Sequence, residues 1–370
     1  MKIAILLNTS WYIYNFRRNM IQELISRNYE VHAIAPYDEY TIKLEALGCF
    51  YHSIEFDSKS KNPLSDISLL LKLKKKLKII SPDVLLNFTI KPNIYGSLAA
   101  YSLKIPVINN IAGMGTLFSE SMISRTFFKM LFKISQNKAN TVFFQNPDDF
   151  RELTVKNIVS RDIAKLLPGS GVNLDEFSYF PLSQTKIITF LLIARMIYPK
   201  GIEELFAAGK LLKEKGFNNF RIKLLGETGV NNPAAIPAER IKEINSCEFV
   251  DYLGKTDDVV SHIKNATAIV LPSYYREGTP KSLLEALAVG RPVITTEMPG
   301  CRETVINGQN GYLCKASSVK SLAEKLEDFI TLSDEQKIKM GAESRKLAEK
   351  KFDEKIVIDK YLQAIENALS

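Results

Sequence analysis

Residues 268–292 read AIVLPSYYREGTPKSLLEALAVGRP, and this stretch carries the strongest signals for the fold. Ala268–Leu271 is an apolar run of strand length, and a polar turn follows it. Thr279 and Pro280 are typical of an N-cap and a first helical position, and Gly290 is typical of a helix end. A strand, a turn and a helix in this order form the repeating unit of an α/β sheet.

Two carboxylates lie in this unit, Glu277 in the turn and Glu285 on the second turn of the helix. The amides of residues 281–283 point from the helix start, where the helix dipole favours an anion such as phosphate. Carboxylates beside a phosphate-binding helix start are suited to accept hydrogen bonds from sugar or ribose hydroxyls. This combination indicates a sugar nucleotide. The alternative is a surface helix in which Glu285 pairs with Lys281 while Glu277 is solvated.

The same alternation of apolar strands and helices runs through both halves of the chain. Such strands predict parallel, doubly wound sheets, so the fold class is α/β with two Rossmann-like domains facing a cleft. We expect an N-terminal domain over 1–178 and a C-terminal domain over 179–350. An amphipathic helix in 351–370 is expected to pack back toward the first domain. Residues 8–15 (NTSWYIYN) lack a glycine-rich dinucleotide turn, which argues against a nicotinamide cofactor.

The composition is ordinary for a globular chain, with 46% apolar and 24% charged residues in 370. No uncharged apolar stretch approaches the ~18 residues of a membrane span. The four cysteines are scattered, the three histidines have no metal-ligand spacing, and no Asp-x-Asp occurs. These patterns predict a cytoplasmic protein with no metal and no cofactor.

Residues 66–138 carry eleven Lys or Arg and three acids, a net +8 that equals the excess of the whole chain. Lys72–Lys78 alternates cations with leucines, and Phe127, Phe128, Leu131 and Phe132 lie among cations. A nucleic acid has no evident use for such clustered apolar residues, so an anionic membrane surface is the preferred partner. The alternative is that the apolar faces cover the first sheet and the lysines are solvated.

Arg195 and Lys200 follow the first strand of the second half and precede a helix, which suits a diphosphate. At this point the chain resembles the family-four retaining glycosyltransferases of the GT-B fold over nearly its whole length. The motifs that carry the resemblance are PGSGVN (168–173), AR…KG (194–201), YLG (252–254), PS…EG (272–278), LEA (284–286), PG (299–300) and NGYL (310–313). In the first half, NFR (15–17), KPN (91–93) and GMG (113–115) look like enzymes of bacterial surface-polysaccharide and lipid-linked glycan assembly.

The resemblance implies a role for each matching position. Arg195, Lys200 and Glu277 are the implied catalytic residues, of which the two cations would stabilise the leaving nucleotide. Donor binding is implied for Arg195, Lys200, Tyr252, Glu277, Gly278, Lys281, Ser282, Leu283 and Glu285, and acceptor binding for Asn15, Arg17, Lys91, Asn93, Gly113 and Gly115. The implied partners are a UDP-sugar and a lipid-diphosphate-linked saccharide at the inner membrane face.

The implied reaction retains the anomeric configuration by front-face displacement, so Glu277 is not expected to act as a glycosidase nucleophile. Two departures from the family leave sugar contacts from the first domain unassigned. The first loop has no Gly-Gly pair, and residues 109–112 (NNIA) stand where relatives have a histidine. The alternatives are a sugar-nucleotide epimerase of the same architecture and a non-catalytic membrane-surface binding protein.

Overall fold

The computed structural model describes residues 1–55, 63–114 and 122–370, and for 63, 64 and 122–128 it describes the backbone alone. These residues divide into two compact units. The first unit combines Met1–Leu167 with Val357–Ser370, and the second is Pro168–Ile356. Each unit contains one parallel β-sheet with helices on both faces.

The first unit contains a seven-stranded parallel sheet of order β3-β2-β1-β4-β5-β6-β7. Its strands are β1 (Lys2–Leu6), β2 (Glu30–Ala35), β3 (Phe50–Ser53), β4 (Val84–Phe88), β5 (Val107–Ile111), β6 (Thr141–Phe144) and β7 (Ala164–Leu166). The winding direction reverses between β1 and β4, and a crevice at the carboxyl ends of such strands is the usual place for a ligand.

Helices cover both faces of this sheet. They are α1 (Ser10–Ser26), α2 (Thr41–Ala46), α3 (Pro63–Ile80), α4 (Ser97–Tyr101), α5 (Met122–Gln136) and α6 (Pro147–Val155), with a π-helical turn at Pro92–Gly96. Alternate residues of a strand point to opposite faces. Accordingly, Ile3 and Ile5 of β1 pack with α1 and α2, whereas Ala4 and Leu6 pack with α3, α4 and α5.

The second unit repeats the arrangement with a six-stranded parallel sheet of order β10-β9-β8-β11-β12-β13. Its strands are β8 (Ile188–Ile193), β9 (Phe220–Leu225), β10 (Val250–Gly254), β11 (Ala268–Leu271), β12 (Val293–Thr296) and β13 (Gly311–Cys314). Its helices are α7 (Ile202–Glu214), α8 (Ala238–Asn245), α9 (Val259–Lys264), α10 (Lys281–Val289), α11 (Val319–Ile330) and α12 (Asp334–Leu347), with short helical turns at Tyr198–Lys200, Arg302–Thr304 and Ala348–Phe352.

The division between the units falls at Leu167, ahead of the 178/179 boundary expected from the sequence. Val172 forms a parallel bridge with Asp353, and a Cβ on Gly171 would lie 2.5 Å from the Glu354 Cα. These contacts join the segment after Leu167 to the end of the second unit. The last helix, α13 (Glu354–Leu369), then packs on the first unit through Val357, Tyr361, Leu362 and Ile365.

The starts of two helices are set by the residues before them. Helix α1 begins at Ser10 because the Thr9 hydroxyl accepts a hydrogen bond from the Tyr12 amide at 3.0 Å. Helix α10 begins at Lys281 with Pro280 at the N-cap, so the expectation of Thr279 as N-cap was wrong. None of the helices within the described ranges is long and apolar enough to cross a membrane.

Candidate active site

The predicted diphosphate residues lie at the carboxyl edge of the second sheet, where the winding direction reverses between β8 and β11. Arg195 and Lys200 follow β8, and Glu277 follows β11. The two loops touch at Gly201, where an added Cβ would lie 2.3 Å from the Pro272 carbonyl oxygen and where φ is +79°. Glycine at this position therefore allows the loop after β8 to lie directly against the loop after β11.

Lys200 and Glu277 form an ion pair, and both side chains are largely buried. The hydroxyl of Ser273 lies 3.1 Å from the Pro199 carbonyl oxygen and 3.2 Å from Glu277 Oε1, and it is suited to donate to either. The Tyr274 amide also donates to the Pro199 carbonyl oxygen at 3.0 Å. Ser273 was not among the predicted site residues, although its place directly after β11 was a signal for it.

The guanidinium of Arg195 differs from the ammonium of Lys200 in its surroundings. Arg195 is exposed, and within the described part of the chain its side chain makes no hydrogen bond or ion pair. Its carbonyl oxygen accepts a hydrogen bond from the Ile197 amide at 2.8 Å, which shapes the turn after β8. The edge thus presents one unpaired cation next to one cation that is held by a carboxylate.

The turn before α10 is fixed by two close glycine contacts. A Cβ on Gly300 would lie 2.0 Å from the Gly278 carbonyl oxygen, and a Cβ on Gly169 would lie 2.8 Å from the Thr279 Cβ. The amide of Leu283 donates to the Pro280 carbonyl oxygen at 3.1 Å. Three backbone amides were expected to face an anion. The amide of Leu283 is engaged in this turn, whereas those of Lys281 and Ser282 take no part in the bond to Pro280.

Glu285 is buried on α10, and its carboxylate lies 3.9 Å from the Lys281 ammonium. Burial raises the pKa of Glu285 to about 7, while the charge of Lys281 opposes that shift. A carboxylate that is buried with one distant cation has room for further hydrogen-bond donors. The hydroxyls of a ribose are donors of this kind.

Tyr252 lies on β10, next to the end of β9, rather than beside the Lys200–Glu277 pair. Its hydroxyl is 2.9 Å from the Gly226 carbonyl oxygen and 3.4 Å from Thr228 Oγ1, beyond the end of β9. A Cβ on Gly226 would lie 1.8 Å from the Ala194 carbonyl oxygen. Tyr252 therefore supports the loop beside Arg195.

The predicted acceptor residues of the first unit have different surroundings. Arg17 is 6% exposed, with its guanidinium carbon 4.2 Å from the centroid of the Phe88 ring, and burial lowers its pKa. Asn93 donates its side-chain amide to the Asn110 carbonyl oxygen at 2.8 Å. Arg17 Nε and Asn93 Oδ1 are buried and have no hydrogen-bond partner in the described residues.

The remaining acceptor predictions do not form one group. Lys91 pairs with Asp66 at 2.9 Å, and the Tyr95 hydroxyl donates to the same carboxylate at 2.7 Å. The Asn15 side-chain amide donates to the Trp11 carbonyl oxygen at 2.9 Å. Gly113 has φ +110° after β5, and Gly115 lies outside the described residues.

The basic helices of the first unit place only part of their apolar residues outward. Phe132 is 2% exposed and belongs to the core under α5, so its assignment to a membrane-facing group was wrong. Leu131 is partly buried against the same core, and the side chains of Phe127 and Phe128 lie outside the described residues. Among the described side chains, the large apolar ones that α3, α4 and α5 expose are Ile67, Leu71, Ile79, Tyr101, Met130 and Ile134.

Within the described ranges, no group of three or more His, Cys, Asp or Glu side chains is placed to hold a metal ion.

Two doubly wound units, one of which gathers cations and carboxylates at its switch point, define a glycosyltransferase of the GT-B fold. The chain belongs to this family. Residues 2–146 match the model described as Glycosyl transferase 4-like, and residues 176–347 match Glycosyl transferases group 1.

Two relatives illustrate the similarity in sequence. The chain is 30% identical to the N,N'-diacetylbacillosaminyl-diphospho-undecaprenol alpha-1,3-N-acetylgalactosaminyltransferase of Campylobacter jejuni, covering 100% of this chain and 99% of that protein. It is 26% identical to the capsular polysaccharide biosynthesis glycosyltransferase CapM of Staphylococcus aureus, covering 79% and 80%.

Two solved structures illustrate the similarity in fold. A glycosyltransferase from Rickettsia africae superposes with a TM-score of 0.82 at 18% identity, covering 100% of this chain and 98% of the other. HepE from Anabaena in complex with UDP superposes with a TM-score of 0.80 at 14% identity, covering 99% and 100%. At these identities the comparison confirms the fold alone, namely two Rossmann-like domains.

Proposed function

We propose that the protein transfers a hexose or N-acetylhexosamine from a UDP-sugar to a lipid-diphosphate-linked saccharide in the assembly of a bacterial surface glycan. The observation that carries this proposal is the gathering of Arg195, Lys200 and Glu277 at the switch point of the second sheet. The activity for which the Campylobacter jejuni relative is named supports the acceptor class, and the UDP complex of the Anabaena structure supports the donor class.

The donor diphosphate would bind at the unpaired guanidinium of Arg195 and the ammonium of Lys200. Lys200 is paired with Glu277, so a diphosphate would compete with that carboxylate for the ammonium. Glu277 and Gly278 would then face the donor sugar, with the amides of Lys281 and Ser282 nearby at the start of α10. Glu285 would accept hydrogen bonds from the ribose hydroxyls.

We infer that the reaction retains the anomeric configuration. In a front-face displacement, the bond between the sugar C1 and the β-phosphate oxygen breaks while the acceptor oxygen bonds to C1 on the same face. The acceptor proton passes to the departing phosphate oxygen. Negative charge grows on the leaving UDP, and the fixed cations Arg195 and Lys200 stabilise it in the transition state. Because two cations serve this purpose, the transfer is expected to proceed without a metal.

We also propose that the first unit lies on the inner, anionic membrane surface, where its lipid-linked acceptor would be found. The exposed apolar residues of α3 and α5 alternate with exposed Lys72, Lys74, Lys75, Lys78 and Lys133. A surface that mixes apolar and cationic side chains is suited to an anionic leaflet. The protein would therefore act in the cytoplasm as a peripheral membrane enzyme.

The decisive experiment incubates the protein with a panel of labelled UDP-sugars, with and without an undecaprenyl-diphosphate-linked saccharide, in EDTA. We expect one labelled sugar to appear in the lipid product with the anomeric configuration of the donor. Isomerised donor without transfer would favour the epimerase, and absence of any turnover would favour a binding protein. Activity that EDTA abolishes and added magnesium restores would refute the metal-independent mechanism alone.

A further inference from the structure

Trp11, the only tryptophan of the chain, lies at the carboxyl edge of the first sheet. It belongs to the first turn of α1, shortly after the end of β1, and it is 37% exposed. Three aromatic rings surround it edge to face, with centroid distances of 4.9 Å to Tyr12, 5.9 Å to Phe16 and 6.4 Å to Tyr40. A large aromatic ring that remains exposed inside an aromatic cluster is a candidate for ligand contact.

The position of Trp11 is fixed by its backbone. The Trp11 amide donates to Asp38 Oδ2 at 2.9 Å, and the Tyr40 amide donates to the other oxygen of the same carboxylate at 2.9 Å. The Ser10 hydroxyl donates to the Pro36 carbonyl oxygen at 3.0 Å. These bonds tie the first turn of α1 to the segment after β2. The indole N–H makes no hydrogen bond to any described residue, so it is available to a ligand.

A second observation marks the same edge as a polar site. Five buried polar atoms of the first unit have no hydrogen-bond partner within the described residues, and they lie after β1, on α1, near the end of β4 or after β4. They are Asn8 Oδ1, Arg17 Nε, Asn87 Oδ1, Thr89 Oγ1 and Asn93 Oδ1. Buried polar atoms are normally paired, so unpaired ones on the elements that flank a switch point indicate a polar ligand.

We propose that Trp11 is the surface on which a pyranose ring of the acceptor saccharide stacks, an inference that rests on the proposed function. A pyranose presents an apolar face of C–H groups and a rim of hydroxyls. An aromatic ring packs against such a face, while a fixed polar group orients the rim. Trp11 would supply the apolar packing face, with its ring under the sugar, and the unpaired polar atoms at this edge of the sheet would orient the rim.

An exposed tryptophan could instead enter a lipid headgroup layer, but its place on the sheet argues against this. Helix α1 packs with Ile3 and Ile5 of β1, whereas the exposed apolar and cationic residues of α3 and α5 lie on helices that pack with Ala4 and Leu6. Adjacent strand residues point to opposite faces. Trp11 therefore belongs to the helix layer opposite the basic helices.

Fluorescence is the direct test, because the emission of the full chain comes from Trp11 alone among tryptophans. The probes are methyl glycosides of N-acetylglucosamine and N-acetylgalactosamine, and separately vesicles of phosphatidylcholine with phosphatidylglycerol. We expect a saturable change in Trp11 emission with at least one glycoside and none with the vesicles. No change in Trp11 emission with either glycoside, or a change with vesicles alone, would overturn the proposal.

Kinetics provide the second test. Trp11→Leu removes the aromatic face and keeps an apolar side chain, and we expect it to raise the acceptor KM about tenfold, which corresponds to about 1.4 kcal/mol. Trp11→Phe keeps a ring and should raise it by less. The donor KM and kcat should stay within about twofold of wild type, which a merely structural defect would not produce. Circular dichroism melts check that each variant is folded.

Phe50→Ala is the matched control, because Phe50 is 54% exposed at the amino edge of the same sheet. An unchanged acceptor KM in folded Trp11→Leu, with transfer by wild type intact, would overturn the stacking proposal and leave the proposed function standing. Absence of transfer by wild type would refute the proposed function, and the fluorescence titration would then still judge Trp11.

Discussion

At the scale of single residues, Arg195 and Lys200 should have the largest effect on the rate. We expect Arg195→Ala and Lys200→Ala each to lower kcat roughly a hundredfold, because a fixed cation that meets transition-state charge is worth about 2–4 kcal/mol. Steady-state kinetics with the preferred donor measure this. Lys242→Ala on the exposed face of α8 is the control and should keep the wild-type rate. Near-normal rates in both site variants would contradict the diphosphate assignment.

Glu285 should make donor binding depend on pH. Burial raises its pKa to about 7, so the carboxyl is largely protonated at pH 6 and ionised at pH 8. If the ionised form accepts the ribose hydroxyls, the donor KM should fall as pH rises from 6 to 8. In Glu285→Gln this dependence should be absent. A parallel slope in both proteins would contradict the role of Glu285.

The Glu285 carboxyl also makes the stability of the fold depend on pH, in the opposite direction to donor binding. The pKa of Glu285 in the folded protein exceeds its ordinary value of 4.5, so the proton stabilises the fold. This contribution is complete below about pH 4.5 and is lost as pH rises through about 7. Donor binding would thus use the ionised form of Glu285, which stabilises the fold less than the protonated form does.

The place of a site residue could be predicted from the sequence where it depends on the strand before it, but contacts between side chains could not. The sequence predicts that Lys200 and Glu277 lie at one edge of the sheet, because both follow strands of a parallel sheet. It could not show that the two side chains pair, nor that Ser273 lies between Glu277 and Pro199. Pro199 and Lys200 lie more than seventy positions before their partners Ser273 and Glu277 along the chain.

At the scale of elements, the basic face of α3 should bind anionic lipid. We expect Lys74→Glu/Lys75→Glu to weaken flotation with phosphatidylglycerol vesicles roughly thirtyfold, since each lysine contributes about 1 kcal/mol near an anionic leaflet. Leu71→Ser/Ile79→Ser tests the apolar part. Lys315→Glu/Lys320→Glu, which has the same charge change on the second unit, is the control.

Salt distinguishes the two contributions to this binding. The electrostatic part should fade as ionic strength rises, while the apolar part should persist. If wild-type protein fails to float with anionic vesicles at low salt, or if the control weakens flotation as much as the α3 variant, the membrane face is assigned wrongly.

Central strands were predictable, and two edge strands were not. The strands β1, β4 and β8 are largely apolar, with one polar residue each, because they are buried by helices on both faces. β3 (FYHS) and β13 (GYLC) lie at the sheet edges, are short, and have no such pattern. Gly311 opens β13 because a Cβ there would lie 1.8 Å from the Val293 carbonyl oxygen. Phe132 was misassigned because a helix of mixed residues does not reveal which face is buried.

At the scale of the whole molecule, the chain returns to its first unit at the end. After Ile356, helix α13 packs against strands that were formed more than two hundred residues earlier. Tyr361 is 1% exposed, its ring lies 4.8 Å from that of Phe143, and its hydroxyl accepts a hydrogen bond from the Asn110 side-chain amide at 2.8 Å. The stability of the first unit therefore depends on the last residues of the chain.

We expect Tyr361→Ala to destabilise the first unit by about 3–5 kcal/mol, the usual cost of removing a large buried aromatic side chain. Urea unfolding followed by Trp11 emission measures this, because the only tryptophan lies in the first unit. Gln363→Ala, on the exposed side of the same helix, should leave the transition unchanged. A Tyr361→Ala transition that coincides with wild type would mean that α13 contributes nothing to the stability of the first unit. In that case its burial against β4, β5 and β6 would have no energetic consequence.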